Sequence, residues 1–398
     1  MIQIEDKSKC CGCWACENVC PVHCIDMIED DEGFRYPHVD VDRCIECHQC
    51  EKVCPELKPI LDDSIPKLSY VVQNKNKEIL RNSTSGGFYT AISRYVISQG
   101  GVVVGAAFDS DMTLRHSCAK TMEDMAKFRG SKYVQSLIGN SYAETKKLLK
   151  QGRIVVFSGT PCQIAGLYGY LGNKRYDNLI TVDLVCRGTP SPRLLKHYLN
   201  YHEQRFGSHA IDYRSRDKYY SYQYSTATIF FNNNVQKSYH RGKESDFMLS
   251  LYFKNLISRP SCYDCHYKTI NRVSDFTIFD CWDAPRISSV FSGNGATNVF
   301  IHTGKGMEIF SKIKNDFVIA KTNALQIIDT DGVMIKHKVP MNPKRRQFFI
   351  DMQSMTIPQL SEKYDCKSLL RKIIIIAKPF LYKVGFFGVY MELKRILR

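Results

Sequence analysis

The feature that most constrains this 398-residue sequence is a cysteine pattern that occurs twice before residue 56. Each copy reads C-x2-C-x2-C-x3-C-P, and the spacing is typical of proteins that bind two 4Fe-4S clusters. Three close thiolates on a tight loop can bind three irons of one cubane, while the fourth cysteine points toward the partner cluster. We therefore predict a crossed assignment, in which one cluster is held by Cys10, Cys13, Cys16 and Cys54 and the other by Cys44, Cys47, Cys50 and Cys20.

Zinc or purely structural thiols are the alternatives to iron–sulfur binding. A zinc site uses pairs of C-x2-C without the third cysteine and without the trailing proline. The complete pattern is present in both copies, so we interpret it as an iron–sulfur module. Cys11 and Cys24 lie outside the pattern and are interpreted as packing thiols.

The bulk composition narrows the class of protein further. Met1 to Lys7 include no apolar signal segment, and no apolar run approaches the ~20 residues of a membrane-spanning helix. We therefore expect a cytoplasmic chain, in which 17 cysteines favour metal ligation over disulfides. The net charge of +15 is spread along the chain without a nucleic-acid motif. It suggests an acidic redox partner, an anionic phosphate-bearing cofactor or a membrane surface, and no nucleic acid.

Beyond a proline-containing linker, the chain alternates between strand-like and helical segments. This alternation predicts a mostly parallel or mixed sheet covered by helices. A hairpin is predicted around residues 226–235. The predicted strands lie at 69–72, 101–105, 154–157, 179–184 and 298–301, and helices are predicted over 87–99 and 142–150.

Four later cysteines sit in positions suited to a site. Cys162 and Cys186 each follow a predicted strand, where α/β proteins build sites, and Cys262 and Cys265 form a C-x2-C pair. Their spacing alone leaves open a third cubane, a zinc site or buried structural thiols. Cys118 and Cys366 have no such context.

Five motifs in this region closely resemble the coenzyme F-420 hydrogenase/dehydrogenase beta-subunit family. They occur in the same order over roughly residues 68 to 310, behind the ferredoxin module. They are STSGGF at 83–88, GSKYVQS at 130–136, FSGTPCQ at 157–163, DLVCRG at 183–188 and RVSDFTIFDCW at 272–282.

The resemblance implies an iron–sulfur flavoprotein with FAD and a third 4Fe-4S cluster. It implies that Cys162, Cys186, Cys262 and Cys265 hold that cluster. Cys281 stands where the family usually has an aromatic residue, and it could replace a ligand or fill space beside the flavin. The expected fold class is α+β/α/β, with a bacterial ferredoxin-type domain at 1–60, a mixed α/β flavin-binding part formed by the family's N-terminal region at 61–150 and C-terminal region at 151–340, and a helical basic amphipathic tail at 341–398.

The sequence lacks a Rossmann G-x-G-x-x-G after a strand, so other loops must bind the flavin. Glycines before a helix let its backbone approach a phosphate. The simpler interpretation of Ser85, Gly86 and Gly87 is a plain helix cap, and that of Lys132 is an ordinary solvated lysine. Tryptophan is more often a core residue than a cofactor wall. The candidate flavin contacts are Ser85, Gly86 and Gly87; Gly130, Ser131, Lys132 and Tyr133; Thr160 and Pro161; and Asp280 and Trp282.

The last thirty residues are apolar and basic, with Glu392 as their single acid. Lys378 and Pro379 interrupt any spanning helix. The segment suits either peripheral contact with the inner face of a membrane or packing on the protein or a partner.

Taken together, the motifs predict an oxidoreductase that passes electrons between the ferredoxin clusters, a third cluster, FAD and a hydride-accepting organic substrate, F-420 or another small molecule. The alternative is a non-catalytic electron-relay beta subunit of a larger hydrogenase or dehydrogenase complex.

Overall fold

A computed structural model describes residues 1–61, 65–238 and 241–390 of the chain. Its strands are β1 Ile25–Glu29, β2 Arg35–Val39, β3 Leu68–Asn74, β4 Val102–Phe108, β5 Leu114–Ala119, β6 Val155–Gly159, β7 Leu179–Leu184, β8 Ala210–Asp217, β9 Thr226–Phe231, β10 Gln236–Ser238, β11 Phe276–Cys281, β12 Ala296–Ile301 and β13 Phe317–Thr322.

The α-helices are α1 Ala15–Val19, α2 Gln49–Lys52, α3 Lys77–Asn82, α4 Phe88–Ser98, α5 Met122–Ala126, α6 Ser141–Lys150, α7 Pro161–Tyr170, α8 Pro192–Phe206, α9 Phe247–Phe253, α10 Ala284–Ile287, α11 Gly304–Ile313, α12 Ala324–Thr330, α13 Val333–Lys336, α14 Arg345–Met352, α15 Ile357–Tyr364 and α16 Leu369–Lys383. Short 3-10 helices span Lys7–Lys9, Lys243–Ser245, Pro260–Asp264 and Lys314–Asp316.

The chain forms two compact units. The first contains residues 1–129, 134–193 and 258–340, and the second contains residues 130–133, 194–257 and 341–398.

The N-terminal part of the first unit carries an internal repeat in its backbone. Helices α1 and α2 each follow a residue in the left-handed region, Trp14 with φ 66° and His48 with φ 56°. Each of these residues lies two positions before the third cysteine of its motif. Strands β1 and β2 pair antiparallel, from Ile25 opposite Val39 to Glu29 opposite Arg35. The doubled cysteine pattern thus has a matching doubled conformation.

The rest of the first unit is built on an eight-stranded mixed sheet with the order β13-β3-β12-β11-β7-β6-β4-β5. The central strands β11, β7, β6 and β4 are parallel, and the outer pairings are antiparallel. Parallel strands are covered on both faces, so their sequences are continuous apolar runs, as in the fully buried Val155, Val156 and Phe157 of β6. This confirms the predicted mixed sheet, the five predicted strands and both predicted helices.

Helix α7 joins the cysteine-rich N-terminal part to the sheet. Its first residue is Pro161, and the Thr160 amide donates to the Gln163 side chain at 3.0 Å, which satisfies the helix start. A Cβ on Gly166 would lie 2.8 Å from the Cys13 Cβ, and one on Gly169 would lie 2.4 Å from the Val53 carbonyl oxygen. The two glycines therefore permit a backbone approach that no larger residue allows.

The second unit contains the three-stranded antiparallel sheet β10-β9-β8, which confirms the predicted hairpin. Buried Asp246 accepts hydrogen bonds from the hydroxyls of Tyr198 at 2.8 Å and Tyr213 at 3.1 Å, and it begins α9. Helix α16 covers part of the predicted tail, whose residues 391–398 lie outside the described residues. Within the described residues, no helix is both long enough and apolar enough to span a bilayer.

The close approach of α7 generates a testable prediction. Gly169→Ala places a methyl group against the Val53 backbone, so we expect a loss of about 1–3 kcal/mol in the free energy of unfolding. Anaerobic urea denaturation of the cluster-loaded protein, followed by cluster absorbance, measures this.

Gly304→Ala is the matched control, because a Cβ there meets open space at the first position of α11, and we expect a change within about 0.5 kcal/mol. Equal stability of the two variants would contradict the tight contact.

Candidate functional site

One cavity in the first unit is lined by five cysteines of the N-terminal part. It comprises about 310 Å³ of atom-free space and is partly open to solvent. Apolar side chains of Ile2, Ile4 and Met27 also line it, which limits the access of water. Four of the cysteines are Cys10, Cys13, Cys16 and Cys54, the set predicted for one cluster, the fifth is Cys11, and we call this the first cavity.

A second cavity of about 320 Å³ is lined by the other predicted set, Cys20, Cys44, Cys47 and Cys50. Two backbone amides donate to sulfur there, Ile2 to Cys50 and Cys24 to Cys20, both at 3.4 Å. Such N–H···S bonds stabilise the negative charge of a cluster and its thiolates. The cysteine thiols and the volume of both cavities therefore fit a 4Fe-4S cluster.

Two of the four later cysteines lie at the carboxyl ends of adjacent parallel strands, and the other two lie in and directly after a 3-10 helix. Cys162 lies in the first turn of α7 after β6, and Cys186 lies two residues after β7. Cys262 lies within the 3-10 helix Pro260–Asp264, and Cys265 follows it directly. Burial, and then the thiols of Cys162, Cys262 and Cys186, raise the pKa of Cys265 above its usual value.

Polar groups surround this third cysteine set. The Thr189 amide donates to the Cys262 sulfur at 3.4 Å, and the Thr160 hydroxyl lies 3.2 Å from the Cys162 sulfur. The Lys268 ammonium donates to the Cys186 carbonyl oxygen at 2.5 Å. Burial raises the pKa of Cys186 to about 12. Four thiols with hydrogen-bond donors and a nearby cation suit an anionic cluster.

Within the described ranges, no three His, Cys, Asp or Glu side chains converge on a single metal ion. A 4Fe-4S cluster does not require several side chains at one ion, because each cysteine binds a different iron atom. The cysteine sulfurs can therefore lie further apart than the ligands of a single metal ion.

Cys11 lines the first cavity and lies near Cys162 of the third cysteine set. The neighbouring Cys13 thiol and burial raise the pKa of Cys11 well above its usual value. Cys11, Cys13 and Cys162 also share one apolar cluster with residues of α7. A side chain interpreted as a packing thiol thus contacts both sites. Cys24, interpreted in the same way, lines the second cavity and lies 3.4 Å from Cys20.

The predicted phosphate loop before α4 is held by the sheet. The Gly86 amide donates to the Thr297 hydroxyl at 2.7 Å, and the Ser85 hydroxyl lies 2.8 Å from it. Gly87, with φ 82°, begins α4 without a side-chain cap. Nearby, the buried Asn74 Nδ2 has no hydrogen-bond partner among the described residues. An unsatisfied buried donor beside an uncapped helix start fits an anionic group such as a cofactor phosphate.

The other predicted flavin contacts lie on separate elements of the chain. Thr160 and Pro161 lie beside Cys162, whereas Gly130, Ser131, Lys132 and Tyr133 belong to the second unit. There, burial lowers the pKa of Lys132 to about 8. Asp280 and the part-exposed Trp282 lie at the end of β11.

Cys281 lies apart from the third cysteine set, since its thiol contacts Asp331 and it packs with Val71 and Phe291.

Comparison with known families accounts for two parts of the chain. Residues 9–57 match the 4Fe-4S dicluster domain, and residues 152–325 match the family described as the C terminus of the coenzyme F420 hydrogenase/dehydrogenase beta subunit. The segment 152–325 of this chain is therefore similar to that beta-subunit family. The family region contains the whole third cysteine set, and the dicluster domain contains all eight cysteines of the two cavities.

Among solved structures, the chain is similar to one from the F420-reducing NiFe hydrogenase complex of Methanosarcina barkeri. The two share 20% identity with a TM-score of 0.46, over 75% of this chain and 97% of that chain. No curated protein matches this chain.

Sequence reasoning missed two buried residues of the site. Arg259 donates to the Cys10 sulfur at 3.4 Å, and Gln135 donates to the Cys11 carbonyl oxygen at 3.0 Å. Arg259 lies three positions before Cys262, and Gln135 lies in a family motif. Their positions in the sequence do not predict that either residue contacts the N-terminal module.

Proposed function

We propose that this iron–sulfur electron-transfer protein is a flavoprotein oxidoreductase that exchanges electrons between its ferredoxin clusters, FAD and a hydride-accepting organic substrate. The observation that carries the proposal is the convergence of Cys162, Cys186, Cys262 and Cys265 beside the first cavity. The substrate class, coenzyme F-420 or another small molecule, is taken from the family resemblance.

Twelve cysteines would hold the three clusters. They are Cys10, Cys13, Cys16 and Cys54 for the first, Cys20, Cys44, Cys47 and Cys50 for the second, and Cys162, Cys186, Cys262 and Cys265 for the third. When bound, the clusters carry single electrons and the flavin exchanges electrons singly or as a hydride. The protein would hold the three cluster sites close together, exclude water from them and fix their order.

The contact between α7 and the N-terminal module supports that order. Gly166 and Gly169 allow the helix that begins beside Cys162 to pack on Cys13 and Val53. Cys11 contacts cysteines of both sites. The second cavity, by contrast, is lined by Ile45, which is 60% exposed, and this suits docking of a redox partner.

FAD binding is supported by the start of α4. The uncapped helix start at Gly87 and the unsatisfied Asn74 amide together offer donors to a phosphate, and Gly86 lies in the same turn. The contacts proposed for the remaining cofactor are Ser85, Thr160, Pro161, Asp280 and Trp282 in the first unit. For Gly130, Ser131, Lys132 and Tyr133, which fold with the second unit, the flavin contact stays a prediction from the family resemblance. The domain limits at 60, 150 and 340 belong to the same proposal.

The second candidate function is an electron-relay subunit without turnover of its own, which the family's description as a beta subunit favours. Its partners would be an acidic ferredoxin or other subunits of a complex, consistent with the net charge of +15. Turnover by the isolated chain separates the two functions.

Iron, acid-labile sulfide and released flavin in the anaerobically purified chain test the proposal. We expect about twelve irons and one FAD per chain. Cys265→Ser removes a ligand of the third set and is expected to lower iron by about four, while the ferredoxin signals remain.

Cys118→Ser is the matched control, since the Cys118 side chain contacts Glu144 rather than a cysteine set and should leave iron unchanged. About eight irons without flavin in the wild type would overturn the flavoprotein assignment.

For localisation, we propose a cytoplasmic chain that makes peripheral membrane contact through α16. A continuous stripe of exposed apolar side chains runs along this helix, formed by Leu369, Ile373, Ile376, Phe380 and Val384. Exposed Arg371, Lys372 and Lys383 are close to the stripe, which suits an anionic bilayer surface.

Cosedimentation with anionic vesicles measures this contact. Replacing Ile376 and Phe380 by serine removes apolar area, so binding should fall at least about tenfold. Ile211 and Val290, also exposed and apolar, serve as the control pair when replaced by serine. Unchanged binding by the α16 variant, or by a chain lacking residues 369–398, would reject membrane contact.

A further inference from the structure

Arg259 is a buried cation within the first unit that touches a predicted cluster ligand. Its side chain is 1% exposed. The guanidinium donates through Nη2 to the Cys10 sulfur at 3.4 Å and through Nε to the Cys10 carbonyl oxygen at 2.6 Å. The same side chain lies only three positions before Cys262 of the third cysteine set. It therefore links the first cavity and the third set physically.

The local structure is built around this guanidinium. Its remaining donors reach the Gln135 side-chain oxygen at 3.1 Å and the Arg35 carbonyl oxygen at 2.9 Å, and it lies 4.1 Å from the centre of the Tyr36 ring. Gly12, with φ 66°, leaves the necessary room, because a Cβ there would stand 2.8 Å from Nη1. The side chain is thus fixed in place rather than mobile.

The charge of Arg259 is not neutralised by a carboxylate in contact with it. Across residues 1–61, 65–238 and 241–390, no aspartate or glutamate forms an ion pair with it, and it donates to neutral oxygens and the Cys10 sulfur. Glu56, which also lines the first cavity, pairs with His266 at 3.3 Å instead. A buried cation is costly unless negative charge lies close by. A thiolate-bound cluster at Cys10 supplies such charge, and it supplies more after taking up an electron.

The cations near the second cavity have a weaker electrostatic effect on a cluster. The Met1 ammonium lies near Cys50 and Cys44, but it is solvent-accessible and paired with Glu51 at 2.9 Å. Arg43 donates to the Val22 carbonyl oxygen at 3.0 Å and is exposed. Screening by water and by the Glu51 carboxylate weakens the effect of the ammonium on a cluster.

We propose that Arg259 raises the reduction potential of the cluster in the first cavity above that of the cluster in the second. The inference rests on the two-cluster assignment of the N-terminal module. One electron then leaves the second cluster, which is oxidised, and enters the first, which is reduced, without transfer of a proton. Electrons would consequently reside mainly on the cluster in the first cavity, which is the one close to Cys162. Arg259 is a tuning and positioning residue, not a catalytic one.

An EPR-monitored redox titration of the cluster-loaded full chain tests this proposal. Arg259→Gln removes the charge, and we expect the midpoint potential of one ferredoxin cluster to fall while the other stays fixed. Arg259→Lys keeps the charge but loses the forked geometry, so a smaller fall is expected. Arg43→Gln, the matched control beside the second cavity, should shift neither midpoint.

A second measurement needs no substitution. In wild-type protein labelled with ¹⁵N-arginine, pulsed EPR of the ferredoxin cluster that is reduced first should detect a guanidinium nitrogen. Unshifted midpoints in both Arg259 variants with full iron content, or a missing nitrogen coupling at that cluster, would overturn the proposal. Fewer than about eight irons in the wild type would instead show that the two-cluster assignment has failed.

Discussion

The contact between helix α7 and the cysteine-rich N-terminal part is the constraint on which the rest of the first unit depends. Two glycines on one face of α7 let its backbone lie against Cys13 and the Val53 carbonyl. The same helix begins directly after β6 and carries Cys162 in its first turn. Helix α7 therefore connects strand β6 and Cys162 directly to the cysteine-rich N-terminal part. A single backbone approach sets the spacing between two of the three proposed clusters.

Burial of charge determines the electrostatics around these sites. Thiols enclosed in apolar surroundings resist ionisation, as the raised pKa of Cys186 illustrates. Bound metal reverses that tendency by supplying positive charge at each sulfur. Arg259 provides the complementary charge on the protein side, fully buried and facing neutral acceptors except at Cys10. A cluster bound at Cys10 would therefore offset the charge of the buried guanidinium.

Much of this could be predicted from the sequence. The doubled cysteine pattern specifies ligands by local spacing, and the apolar runs of β4, β6 and β7 specify buried parallel strands. Long-range contacts could not be predicted, because spacing carries no information on which loop faces which. Arg259 lies 249 residues from Cys10, and only the folded chain brings them together.

The predicted flavin contacts illustrate the same limit. Ser85 and Gly86 are held by Thr297 of β12, a partner that no local motif identifies. Residues 130–133 fold with the second unit although their motif lies between segments of the first. Asn74, whose free amide is the best single argument for a bound anion, lies outside every motif. Family motifs mark segments, whereas the cofactor's contacts depend on how those segments pack.

The central claim is that three cysteine sets form one continuous series of redox centres. EPR of the fully reduced protein tests it most directly, since neighbouring paramagnetic clusters broaden one another's signals. We expect the wild-type spectrum to show spin–spin interaction beyond that of a ferredoxin pair, and Cys265→Ser to remove the additional interaction and the third signal together. A spectrum equal to the sum of a ferredoxin pair and an isolated cluster, or one without a third cluster, would contradict the account.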